Sequence, residues 1–103
     1  MDKLIIDIEY KDGFYFIPEF IFYYLKEGRL NSMPDNTKKV GLFLDDFKKL
    51  VFNYRENTNK DIEIYLNRNS LMSQEENDKI LSELANELNN HNDKQVIKVS
   101  SSL

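Results

Sequence analysis

Leu4-Ile5-Ile6-Asp7-Ile8-Glu9-Tyr10-Lys11-Asp12-Gly13-Phe14-Tyr15-Phe16-Ile17 decides how this chain is read. Asp7 and Glu9 alternate with Ile6, Ile8 and Tyr10, the period-two pattern of a strand with one buried and one solvated face. Asp12-Gly13 interrupts the run between two apolar stretches. Glycine supplies the positive φ that a tight hairpin turn demands. Residues 14–17 then read as the returning strand.

Outward from that hairpin the signals are mixed. Over residues 18–28, Pro18 at a first-turn position, Glu19 beside it and Gly28 as a stop argue for a helix. The aromatic and β-branched run Phe20-Ile21-Phe22-Tyr23-Tyr24 argues for a strand, with Pro18 at its start, edge or bulge. Residue type tips the balance to strand. Residues 29–36, rich in Asn, Ser, Pro and Asp around Pro34, read as a loop. Residues 38–44 read as a strand running into a helix at Asp45, whose carboxylate is placed to cap the first turn. The rival is one longer helix from Asp35, in which Gly41 costs about 1 kcal/mol relative to Ala. Phe47, Leu50, Val51 and Tyr54 recur at helical spacing.

Residues 61–66 alternate again and predict a strand. Ser73-Gln74-Glu75-Glu76 is a capping box, opening a helix to about Asn90 with Ile80, Leu81, Leu84, Ala85 and Leu88 on its buried side. Residues 95–99 suit a last short strand, and Ser100-Ser101-Ser102 a frayed tail. The expected fold is α+β, a small antiparallel or mixed sheet packed by two helices at about 45–57 and 73–90. It forms a single domain over 1–99, with a tail at 100–103.

Composition bounds the function. A chain of 103 residues holds one core, and 41% hydrophobic with 13% aromatic residues is enough to fill it. The absence of cysteine excludes disulfides, thiolate metal sites and a cysteine nucleophile. Asp2, Asp7 and Glu9 interrupt the first apolar run, so no signal peptide is expected, and no stretch approaches the ~20 apolar residues of a membrane span. A cytoplasmic, reducing compartment without membrane contact is the expectation. The net charge of −4 is uneven: residues 1–60 hold ten acids and ten bases, residues 61–103 eight acids and four bases.

The catalytic inventory is thin. His91, the one histidine, sits in a polar stretch where it complements the carbonyl end of a helix. Three widely spaced glycines build no phosphate-cradling loop. Asp7 with Glu9 and Asp61 with Glu63 share strand faces and offer hard oxygens suited to Mg²⁺ or Ca²⁺. The same alternation equally describes the wet side of amphipathic strands, which is the reading adopted. No catalytic residue, metal ligand or cofactor is expected, and the chain reads as a binding protein rather than an enzyme.

Two binding surfaces stand out. At 100° per residue, Glu76, Glu83 and Glu87 fall in one narrow stripe of the last helix, an acidic ridge suited to a basic partner. The plainer account of such a stripe is a solvated helix face. The other surface comes from a resemblance. Pro34 followed by TKKVGLFLDDFKKL (residues 37–50), with YYLKEG (residues 23–28) upstream, resembles the single-strand-binding transcriptional coactivators known as positive cofactor four. From Leu4 to about Asn57 the expected order of strand, Asp-Gly turn, strand, long strand and helix also resembles that family and, more loosely, the Pur and Whirly proteins. The matching positions are Pro34, Lys38 and Lys39, Val40 and Leu42, Asp45 and Asp46, Phe47 and Leu50. The resemblance implies that Lys38 and Lys39 contact phosphates and that Phe20, Phe22 or Tyr24 offer stacking faces.

Charge orders the two. Non-specific nucleic-acid affinity comes from Lys and Arg displacing counterions, which a net −4 disfavours. The leading expectation is a small acidic inhibitor, immunity protein or modulator that engages a basic protein surface through Glu76, Glu83 and Glu87. The alternative is a single-stranded nucleic-acid binder. Either is compatible with a homodimer.

Overall fold

In the computed structural model, which describes residues 3–28, 38–67, 72–89 and 97–102, the opening hairpin stands where the alternation places it. β1 (Lys3–Lys11) turns into β2 (Phe14–Pro18) through Asp12 at φ 53° and Gly13 at φ 86°. Two consecutive positive φ values are the condition a two-residue type I′ turn imposes. The loop expected over residues 29–36, the coactivator-like Pro34 and His91 lie outside the described residues.

The next element corrects the reading of 18–28. It is a helix, α1 (Glu19–Glu27), not a strand. Pro18 precedes it at φ −57° and ψ 142°, where a missing N–H costs nothing. The Glu19 N–H donates to the Lys38 carbonyl at 2.9 Å, and Gly28 at φ 77° closes the helix by donating to the Tyr24 carbonyl at 2.7 Å. Ile21 and Leu25, four residues apart, are buried, and Phe20, Phe22 and Tyr24 pack half-buried against the core. Aromatic β-propensity is largely a preference for a packed surface, and this helix supplies one.

Next come β3 (Lys39–Leu42), α2 (Leu44–Thr58), β4 (Asp61–Asn67), α3 (Gln74–Leu88) and β5 (Lys98–Ser102). The fold is α+β, with a five-stranded mixed sheet in the order β3-β2-β1-β4-β5, packed by three helices rather than two. β2 runs antiparallel to β1 and β3, and β4 runs parallel to β1 and β5. Ile6 pairs with Ile64 and Ile8 with Leu66. With Tyr15, Ile17 and Ile62 they floor the core, roofed by Ile21 and Leu25, Phe47, Val51 and Tyr54, and Leu84 and Leu88. The Tyr15 and Phe47 rings stack at 6.1 Å, and Tyr24 meets Tyr54 at 5.5 Å. All three helices therefore cover one face of the sheet.

Of three local expectations, two need adjustment. Asp45 does not cap α2: Phe43 holds the N-cap position, and Asp45 and Asp46 lie in the first turn, where negative charge favours the helix dipole. The Ser73 cap does form, its Oγ accepting the Glu76 N–H at 3.1 Å. Ser100, Ser101 and Ser102, expected to fray, belong to β5.

β5 buries little apolar surface, and two asparagines of the α3 region hold it. Asn77 is fully buried, donating to Ser101 Oγ at 3.3 Å, while its Oδ1 is left without a partner among the described residues. Asn89 donates to the Ile97 carbonyl at 3.0 Å and accepts the Ile97 N–H at 2.7 Å, as a neighbouring strand would. Asn89→Ala is expected to lower stability by about 1–3 kcal/mol. Amide hydrogen exchange should show β5 opening ahead of β1 and β4, and unchanged β5 protection would contradict this role.

Candidate functional site

Because strand side chains alternate, the face turned away from the helices is set by the same register. Among the described residues no helix packs on it. At one end Phe14, Phe16 and Phe43 gather, with Phe14 at 4.8 Å from Phe43 and 6.2 Å from Phe16. Phe43 is 60% exposed, and Ile5, on the same face, is 49% exposed. The Phe16 ring lies over Gly41, its partner on the edge strand β3, so close that a Cβ there would stand 2.8 Å from Cε1. Glycine at 41 is what lets the ring lie flat on the edge.

The charges of this open face are largely paired. Glu63 receives Lys3, Lys98 at 3.7 Å and the Tyr65 hydroxyl at 2.8 Å. Lys39 pairs with Glu9, its neighbour two strands away. Asp61 faces Arg55 of α2 at 3.7 Å around the strand end, and Asp7 and Lys11 are exposed. Four lysines thus balance four carboxylates across the face. The hydrogen bond from Lys3, followed by that from Tyr65, holds the Glu63 carboxyl below its usual range. The same contacts raise Lys3 and Tyr65.

The acidic ridge is only partly assembled. Glu76 and Glu83 are exposed on α3, but Glu87 accepts a hydrogen bond from Lys48 of α2 at 2.7 Å, which raises the lysine's pKa. Burial pushes the Tyr15 phenol up to about 12, with the charges of Glu83, Tyr10 and Glu87 adding to the shift. Glu76 stands about 10 Å further along the axis. Near it the structure adds two exposed acids outside the expected ridge, Glu75 and Asp78.

Of the residues implied by the coactivator resemblance, Lys38 is exposed, and Lys39 is engaged with Glu9. Phe20, Phe22 and Tyr24 belong to α1 and pack against the core. The third element of residues 4–57 is a helix, so the strand–strand–strand–helix order behind the resemblance is not the order the chain adopts. Among the described residues no three His, Cys, Asp or Glu side chains converge to hold a metal ion. None of their helices is long and apolar enough to cross a membrane.

Sequence reasoning passed over Phe14, Phe16 and Phe43. The signal was present, since Phe14 and Phe16 share the period of the strand's outward side. No family model matches the chain, and neither a curated protein nor a solved structure does.

The Glu63 cluster fixes a pH dependence. A carboxyl with a lowered folded-state pKa contributes stability that is fully present above its unfolded value, ordinarily 4.5, and is lost as pH falls through the folded value. Denaturant midpoints are expected to fall on acidification from about pH 6 to about pH 3. Glu63→Gln should flatten that fall, and an equally steep fall in the variant would contradict the assignment.

Proposed function

We propose that this chain is a non-catalytic protein-binding module that docks the acidic outer side of α3 on a basic surface of another protein, as an inhibitor, immunity protein or modulator does. The observation that carries this reading is the exposure of Glu75, Glu76, Asp78 and Glu83 on one helix. Lys79 is the single base of that helix. Such a row speeds encounter with a positive patch and fixes its register more than it adds raw affinity. Glu87, already committed to Lys48, contributes less than the other members of the ridge.

The nucleic-acid alternative draws less support. Lys39 and Lys48 are each neutralised by a carboxylate of the same chain, and the whole carries −4. Phosphate binding needs cations free to displace counterions.

Affinity capture on the immobilised chain tests the proposal at low and at near-physiological salt. Proteins with basic surfaces are expected to be retained at low salt and released as salt rises. The double variant Glu76→Lys, Glu83→Lys should lose them while keeping its fold by circular dichroism. An identical set of captured proteins on the variant would remove α3 from the function. Steeply salt-dependent binding of labelled single-stranded DNA or RNA would favour the coactivator-type alternative instead.

A further inference from the structure

We propose that the open face of the sheet is the contact between two copies of this chain, which pair sheet to sheet about a twofold axis and leave α3 outermost on both sides. Three observations converge on a second copy as the occupant.

The first is the kind of sheet. β1, β4 and β5 are parallel neighbours, and parallel sheets are normally covered on both faces. Here the described helices cover one face, and Ile5 and Phe43 stand exposed on the other at 49% and 60%.

The second is charge. In a twofold contact a surface meets itself, so any net charge it carries is set against its own copy. The open face balances four lysines with four carboxylates, and its Lys39–Glu9 and Lys3–Glu63–Lys98 contacts are already made within one chain. The chain's −4 therefore lies elsewhere, and the acidic flank of α3 would repel a copy of itself. A neutral aromatic face suits a second copy better than it suits either a strongly basic partner or a polyanion.

The third is size. Five strands about 4.8 Å apart, averaging six residues at about 3.3 Å, give a face of roughly 480 Å² in projection, below the ~800 Å² per partner of a standard interface and in the range of a weak, concentration-dependent dimer. Phe14, Phe16 and Phe43 supply the kind of aromatic anchor that concentrates binding energy.

Sedimentation velocity on the full chain tests the pairing. The chain at about 100 µM is expected to sediment as a dimer, and Phe43→Asp should weaken the dissociation constant at least about tenfold. Phe43 is exposed, so its fold should survive the change, and Ile5→Glu provides a second, independent probe. The variant Glu76→Lys, Glu83→Lys should remain dimeric, since those residues point away from the contact. A monomer at about 500 µM would overturn the proposal. So would a dimer indifferent to both Phe43→Asp and Ile5→Glu, or one dissociated by reversing the α3 charges.

Discussion

The parallel pairing of β1 with β4, in register from Lys3 opposite Asp61 to Glu9 opposite Asn67, is the constraint on which the other features depend. Parallel neighbours need a long crossover, and here β2, α1, β3 and α2 all lie within it. The pairing sets Ile6 beside Ile64 and Ile8 beside Leu66, each fully buried, and so fixes which face the helices cover. On the other face it sets Ile5 beside Glu63 and draws Lys3 to the carboxylate. A slip of one residue would send the isoleucines outward and the charges into the core, so the register is strongly specified.

How much of this could be read in advance follows from how local each signal is. The β1–β2 hairpin, β4 and the Ser73 cap declare themselves within a few residues, and they form where expected. The β1–β4 pairing joins positions 58 apart with the same alternation on both strands, and alternation alone gives no partner. α1 was obscured because Phe20 to Tyr24 favour any packed surface, and only tertiary structure shows that a helix supplies it. β5, expected at 95–99 and found at Lys98–Ser102, had its bounds obscured for the opposite reason. Its serines carry no hydrophobic signal, and the asparagines that hold it lie before it in the sequence.

The proposed binding surface was legible to a similar depth. Exposure of Glu76 and Glu83 follows from helical spacing, but the Lys48–Glu87 pair links residues 39 apart and dilutes the ridge that spacing implied. The outward aromatics of β2 were encoded in the same alternation as Asp7 and Glu9. What the sequence could not supply was Phe43 joining them across the hairpin and β3.

The resulting molecule has two unlike sides: an acidic helical side, which we propose meets a basic partner, and a charge-balanced sheet face with an aromatic end, which we propose meets a second copy. The most direct measurement of that division is the concentration dependence of backbone amide chemical shifts in the ¹⁵N-labelled chain. The amides of Phe14, Phe16, Gly41 and Phe43 are expected to move as the chain is concentrated, while those of α3 stay fixed. Movement confined to α3, or none anywhere, would contradict the account.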